Sequence, residues 1–191
     1  GYSWKPGTHL LAYVPELQGG YFSSRPGETN PDFAESIRGY DADTGQISDL
    51  VFPTRGYALF NPVWSPDGRF LAFDEVKNIE GRGPFAYFDF TSREYISLEQ
   101  PLGNYSWSPD GETLVFDNMV YIASGVERIQ FRSRQDGAVN NFSPDFAPGY
   151  ASQPAFSPQG DSIAYLAADG PESQLFTLYV QGFSLGAAGD P

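Results

Sequence analysis

The chain holds one histidine and no cysteine, so most catalytic constellations would have to be built around His9 or not at all. His9 falls in Thr8-His9-Leu10-Leu11-Ala12-Tyr13-Val14, an apolar run that reads as a strand, and a structural role is expected for it there. Gly149-Tyr150-Ala151-Ser152-Gln153 breaks the spacing of a Gly-x-Ser-x-Gly nucleophile elbow, and Gly182-Phe183-Ser184-Leu185-Gly186, which keeps it, falls in what reads as a weak final strand and not at a strand-to-helix turn. Without cysteine there is no thiol nucleophile, disulfide or thiolate metal site, and one imidazole cannot form the histidine clusters that hold zinc or manganese. Phosphate-cradling Gly-x-x-x-x-Gly-Lys loops are missing too. Asp41-Ala42-Asp43-Thr44-Gly45 invites comparison with a calcium loop, because alternating carboxylates can aim oxygens at one hard cation. Gly45 fills the place of the third ligand, and the same five residues read as a hairpin turn, which is the expectation adopted. Asp and Glu are plentiful, yet no spacing singles out a pair for glycoside chemistry. The expectation is a chain with no catalytic residues, metal or cofactor of its own.

What these residues sit on is a tandem repeat. Trp64-Ser65-Pro66-Asp67-Gly68 recurs as Trp107-Ser108-Pro109-Asp110-Gly111, and a worn copy stands at Phe156-Ser157-Pro158-Gln159-Gly160. A more degenerate copy, Tyr2-Ser3-Trp4-Lys5-Pro6-Gly7, matches Tyr105 to Gly111 if one residue is deleted. Each copy runs on into a short apolar stretch: Leu10 to Val14, Phe70 to Phe73, Leu114 to Phe116 and Ile163 to Leu166. These are too brief for helices and read as buried strands. Proline presets φ early in the turn, Asp hydrogen-bonds nearby amides and Gly accepts positive φ, so Ser-Pro-Asp-Gly suits a tight strand connection. A second hairpin follows in each unit, as in Ile37 to Asp41 turning into Gln46 to Leu50, and Phe85 to Asp89 turning into Tyr95 to Leu98. Unit three supplies Ile129 to Arg132 and a turn at Gln135-Asp136-Gly137, and the last unit ends in a weak final strand over Gln181 to Gly186.

Trp4, Trp64, Trp107 and Phe156 stand 60, 43 and 49 residues apart. A four-stranded propeller blade takes roughly 40 to 50 residues, so the fold expected is all-β, a β-propeller of four four-stranded antiparallel blades over about residues 1–55, 56–99, 100–145 and 146–191. The repeat, an apolar residue, Trp-Ser-Pro-Asp-Gly, an aliphatic pair with Ala and a later Asp-x-x-x-Gly hairpin, resembles the TolB-type, WD-like propeller repeat over nearly the whole chain. The residues that carry the resemblance (Trp4, Trp64, Pro66, Asp67, Gly68, Trp107, Pro109, Asp110, Gly111, Phe156, Pro158 and Gly160) are those that build blades, so it speaks to fold more than to function. It implies a noncatalytic, extracytoplasmic module (periplasmic, secreted or cell-surface) that scaffolds protein contacts. The alternatives are the substrate-gating or regulatory propeller of a larger enzyme of the prolyl-oligopeptidase type, with its catalytic domain outside this chain, and a glycan or small-ligand binder.

Composition sets bounds on partners. With 24 Asp and Glu against 11 Lys and Arg the formal net charge is −13, which opposes nucleic-acid binding, since phosphate neutralisation needs a concentrated basic face. The same charge disfavours anionic membrane surfaces, and no stretch reaches about 18 consecutive apolar residues, so membrane insertion by a helix is not expected. The chain does not open on Met, which leaves a removed signal peptide, a longer upstream segment or an excised piece as alternatives. Asn104-Tyr105-Ser106 and Asn141-Phe142-Ser143 match the glycosylation sequon, which matters only in a eukaryotic secretory host.

Blade topology divides the connections between two ends. The Ser-Pro-Asp-Gly turns share a regular end, and the other end collects the irregular segments Pro15 to Glu35, Pro53 to Asn61, Glu75 to Gly83, Gln100 to Asn104 and Ser143 to Ser152. Loops on a rigid scaffold are where specificity is grafted, and Tyr, Phe and Arg are favoured at interface hot spots. Tyr21, Phe22 and Arg25 in the longest segment, extended by Tyr57, Phe60 and Arg82, are therefore the expected binding surface for a protein partner. Four blades leave apolar blade faces at both ends of the array, against about six to eight blades in propellers of the resembled family. Further blades, a second copy of the chain (a homodimer), a different subunit or a closed four-bladed ring would resolve this.

Overall fold

The computed structural model describes residues 1–15, 36–53, 57–77, 84–101, 103–118, 128–134, 137–142, 150–168, 175–184 and 187–188. Its described residues form four four-stranded antiparallel sheets, each meandering in chain order. The strands are β1 (Tyr2–Trp4), β2 (Leu10–Tyr13), β3 (Ile37–Asp41) and β4 (Ile47–Val51) in the first sheet, then β5 (Tyr57–Trp64), β6 (Phe70–Lys77), β7 (Pro84–Asp89) and β8 (Glu94–Pro101) in the second. The third sheet holds β9 (Tyr105–Trp107), β10 (Thr113–Asn118), β11 (Arg128–Ser133) and β12 (Val139–Asn141), and the fourth β13 (Tyr150–Phe156), β14 (Ser162–Ala168), β15 (Thr177–Ser184) and β16 (Ala187–Ala188). These are propeller blades. No helix among the described residues is long and apolar enough to cross a membrane. The chain divides into two compact units, Gly1–Gln100 with the first two blades and Pro101–Pro191 with the last two.

The repeated turn has the same internal wiring wherever its residues survive. In Ser65 to Phe70 the Ser65 amide donates to the Phe70 carbonyl at 2.9 Å, the Gly68 amide to the Ser65 carbonyl at 2.8 Å, and the Phe70 amide to Ser65 Oγ at 2.9 Å. Ser65 Oγ in turn donates to Asp67 Oδ1 at 2.5 Å, while Asp67 Oδ1 accepts the Arg69 amide. Ser108, Asp110, Glu112 and Thr113 repeat each of these bonds. Gly68, Gly111 and Gly160 adopt φ of 67°, 71° and 76°, the left-handed region that favours glycine. In the worn copy Gln159 replaces the Asp, and Asp161 takes over by accepting from Ser157 Oγ at 2.8 Å. Asp110 and Asp161 are both held below the usual carboxylate range, first by the serine hydroxyls that donate to them.

The first copy departs from expectation. Its turn is not one residue shorter, because the Lys5 amide pairs with the Leu10 carbonyl at 2.8 Å over the same interval as Ser65 with Phe70. The left-handed glycine has instead moved one place earlier, to Gly7 with φ 69°, and Thr8 Oγ1 accepts the Leu10 amide in place of the missing serine. Pairing between β1 and β2 fixes the turn length, so the sequence change is absorbed inside it. His9 lies in this turn, not in the strand that follows, and is exposed. At the C-terminal end β15 is one continuous strand through Ser184, so the weak final strand is Ala187–Ala188 and not Gln181 to Gly186.

Each unit has its own core. In the first, Ala12, Ile37 and Val51 pack with Leu59, Trp64, Leu71, Phe73 and Ala86. In the second, Val115, Ile129 and Phe142 pack with Ala151, Ile163, Tyr165 and Ala167. Full burial of one such large side chain stabilises by roughly 1.5–3 kcal/mol. Trp64 and Trp107 are both buried, Phe156 is half-buried, and Trp4 is 52% exposed.

Candidate functional site

The ends of the blades differ in what holds them. At the regular end of blades 1 and 2 the third and fourth strands are joined by Asx turns. Asp41 Oδ1 accepts the amides of Asp43 and Thr44 at 2.9 Å each, and Gly45, at φ 70°, returns its amide to the Asp41 carbonyl. The Thr44 amide is the main reason the Asp41 carboxyl lies below its ordinary value. Asp43 Oδ1 meets His9 Nδ1 at 2.7 Å, both side chains being well exposed. The two carboxylates are thus engaged in building and bracing a turn. Among the described residues, no group of three or more His, Asp or Glu side chains is placed to hold a metal ion.

Blade 2 repeats the device with a stronger partner. Asp89 Oδ1 accepts the Thr91 amide at 2.7 Å, and Arg69 grips the carboxylate through Nε to Oδ1 at 3.0 Å and Nη2 to Oδ2 at 2.6 Å. That guanidinium holds Asp89 far below the usual carboxylate range.

At the irregular end, five polar residues recur at fixed places relative to the first-strand aromatic. Asn61, Asn104 and Gln153 stand three residues before Trp64, Trp107 and Phe156, and Asp74 and Asp117 stand ten after Trp64 and Trp107. Asn61 and Gln153 each precede a proline, each lie where β5 and β13 bulge, and each take a left-handed φ, 50° and 55°. A non-glycine residue before proline resists that conformation, so other bonds must hold it. Asn61 Nδ2 donates to buried Asp74 Oδ2 at 2.8 Å. Asp117, 2% exposed, accepts the Asn104 amide at 2.8 Å, Asn104 Nδ2 at 3.0 Å and the Gln153 amide at 2.9 Å. A Cβ on Gly103 would fall 1.5 Å from Asp117 Oδ1, so only glycine fits above this carboxylate. On β6, next to Asp74 in sequence, Glu75 is buried and accepts from the hydroxyls of Tyr95 and Ser97, the latter at 2.7 Å.

This arrangement staples strands and positions the chain that enters and leaves them. Asp117 joins the first strands of two blades within its unit, β9 and β13, while Asn61 and Asp74 close β5 onto β6. The connections over 78–83 and 119–127 leave β6 and β10, which carry Asp74 and Asp117, and that over 143–149 enters β13, which carries Gln153.

Of the residues expected to bind a partner, Tyr21, Phe22, Arg25 and Arg82 lie outside the described residues. Tyr57 and Phe60 are not in a connection. They belong to β5, opposite Lys77 and Asp74 of β6, because the strand runs through its bulge and begins well before Asn61. The same extension brings Glu75–Lys77, Gln100 and Tyr150–Ser152 into strands. No sequence motif points to Asn61, Asp74, Asp117 or Gln153, and Asn104 enters only as part of a sequon, although the recurrence of all five at fixed offsets from the aromatic is present in the repeats.

No protein-family model and no curated protein matches the sequence. Solved structures do. TolB from Acinetobacter baumannii superposes with a TM-score of 0.64 at 18% identity, over 95% of this chain and 40% of that one. An oligogalacturonate lyase in complex with manganese gives 0.64 at 14% identity, over 96% and 48%. A prolyl endopeptidase gives 0.62 at 14% identity, over 93% and 28%. The chain thus spans less than half the length of each of these proteins. At such identities the likeness is one of fold, a TolB-like β-propeller architecture carried by four blades.

Proposed function

We propose that the chain is a noncatalytic, extracytoplasmic propeller module that binds a protein partner at its irregular end. The observation that carries this reading is the allocation of its carboxylates. Asp41, Asp89, Asp110 and Asp161 serve turns, while Asp74, Glu75 and Asp117 are buried in internal hydrogen bonds that fix strand ends of blades 2, 3 and 4. A frame held this way presents loops, and among the described residues it offers no free buried acid or base. The net charge of −13 favours a partner with a basic contact surface. The extracytoplasmic address follows by analogy with TolB-type proteins.

The test is a replacement of Tyr21, Phe22 and Arg25 by Ala together, with the partner captured from extract by the wild-type chain as the comparison. Capture by the wild type and loss in the triple variant, with the melting temperature unchanged, is the expected result. Equal capture by both, or collapse of the melting temperature, would remove these residues from the binding surface.

A second reading is the gating propeller of a larger enzyme. It is favoured by the fold likeness to a prolyl endopeptidase of which this chain spans 28%. Coding sequence for a hydrolase domain beyond Pro191 would support it, and a glycan array with hits abolished at Tyr21 and Tyr57 would favour a glycan binder over both.

A further inference from the structure

Every blade has two faces, and the register shows which residues share them. In blade 1, Trp4, Leu11, Tyr40 and Ile47 form one row across all four strands. The corresponding row of blade 2 is Trp64, Leu71 and Phe88, and it is the row that covers blade 1 in the core of the first unit. The surface it covers is the opposite face of blade 1, a row of small residues, Ser3, Ala12 and Gly39. Ser3 Oγ there accepts the Trp64 amide at 3.2 Å. The second unit builds the same junction, with Phe156 and Ile163 of blade 4 in the core with Val115 of blade 3, and the Phe156 amide donating to Ser106 Oγ at 3.4 Å.

Neither junction uses the aromatic row of blade 1 or the matching covered row of blade 4, and these are the two halves of such a junction. Blade 1 exposes its aromatic row, with Trp4 at 52%, Tyr40 at 37% and Ile47 at 59%. Blade 4 exposes Ala155 and Val180, with half-buried Ala164 between them, a row position for position the equivalent of Ser3, Ala12 and Gly39. Beside it stands exposed Leu178, and a Cβ on Gly182 would meet nothing within 4 Å. One face is thus built like a covering surface and the other like the surface such a row covers.

We propose that these faces join head to tail between copies, blade 4 of one chain seating against blade 1 of a second. The occupant is a second copy because the complement of each free face is present on the same chain, in the register that the two internal junctions already use. This is a heterologous contact, so each copy offers two different surfaces, one on blade 1 and one on blade 4. It differs from the internal junctions at one point: Ala155 stands where Ser3 and Ser106 supply an acceptor hydroxyl, so the amide of Trp4 finds none there. The proposal does not depend on the loops of the irregular end.

Light scattering after size exclusion on the 191-residue chain tests it, against a protomer mass of 21.0 kDa. At micromolar concentration the expected mass is twice that value or a higher multiple of it, and a monomer would overturn the proposal. Val180→Glu and Ile47→Glu, both at exposed positions, should each return the chain to monomer with its circular dichroism unchanged. Mixed together, the two variants should recover a one-to-one dimer, since one keeps an intact blade 1 face and the other an intact blade 4 face. An assembly that survives either substitution, or variants that stay monomeric on mixing, would rule out head-to-tail pairing. Ala155→Ser should tighten association by on the order of threefold, as expected for one added hydrogen bond.

Discussion

The two units repeat each other closely enough that their differences stand out, and the clearest lies at the regular end between paired blades. In the first unit Lys5 occupies the serine position of the turn, and its ammonium sits 5.0 Å from the Trp64 ring centroid and 5.7 Å from that of Phe90. In the second unit Ser108 takes the place of Lys5, and Phe156 and Phe183 take those of Trp64 and Phe90. The amides of Phe90 and Phe183 bond to the matching carbonyls of Arg69 and Asp161. A cavity of about 590 Å³ opens here, lined by Ser108, Asp110, Gly160, Asp161 and Phe183 among others. One junction is closed by a cation lying on aromatic rings, while its counterpart is lined by carboxylates and the ring of Phe183, which packs on Phe131, Phe142 and Phe156. A repeat can keep its backbone wiring and still exchange the chemistry of its clefts, because Thr8 takes over the hydroxyl's work in the first copy and frees the first turn position for Lys5.

The largest difference expected on mutation concerns the aromatic anchors. Trp64 is buried against Phe90, with ring centroids 4.9 Å apart, so Trp64→Ala should cost about 3–5 kcal/mol in denaturant unfolding. Phe156 is only half-buried, and Phe156→Ala should cost about half as much. Equal losses would mean that the two junctions depend on their aromatics alike and that the cleft contrast is superficial.

Asp117→Ala comes next. It strands the amides of Asn104 and Gln153, both at the seam between blades 3 and 4, and should cost about 2–3 kcal/mol. Hydrogen exchange should rise at both amides while the first unit keeps its protection. Loss of protection in both units together would show that they unfold as one.

Acid should separate the units at different turns. Asp89 of the first unit is held by Arg69, whereas the matching place in blade 4 is Gly182. Because the folded carboxyl lies below its unfolded value near 3.9, its contribution is complete above about pH 4 and is lost as pH falls through the folded value. Asp89→Asn should cost about 2 kcal/mol at neutral pH and flatten the acid limb of blade 2 stability, measured by melting at stepped pH. An unchanged acid limb would assign that sensitivity to Asp110 and Asp161 in the second unit, whose carboxyls are also lowered.

The blades were legible in the sequence because Trp-Ser-Pro-Asp-Gly encodes both a buried anchor and a complete turn circuit, and because it recurs at blade length. Turn substitutions were harder to read. Gln159 looks like a loss, yet Asp161 reaches the same serine, and Gly7 looks like a deletion although strand pairing keeps the turn at full length. The strand ends were misplaced for a related reason: Asn61-Pro62 and Gln153-Pro154 look like breakers, and proline normally ends a strand. They sit at bulges held by Asp74 and Asp117, and those bonds join residues 13 and 36 apart in sequence. Local pattern cannot show such partners, which emerge only when the repeats are aligned on their aromatic.

The smallest effect bears most directly on the contrast between the clefts. Lys5→Met keeps most of the aliphatic stem that lies against Gly68 but removes the ammonium from Trp64 and Phe90. A cation over an aromatic face contributes about 0.5–1 kcal/mol at a partly exposed site, so the loss should be of that size. Lys5→Arg should restore most of it, because a guanidinium stacks on the same rings. Lys5→Ala should cost more than Lys5→Met, the difference reporting the packing of the stem. If methionine is as stable as lysine, the first cleft is closed by volume and not by charge, and the acidic lining of the second is then its own feature, not the inverse of a cation site.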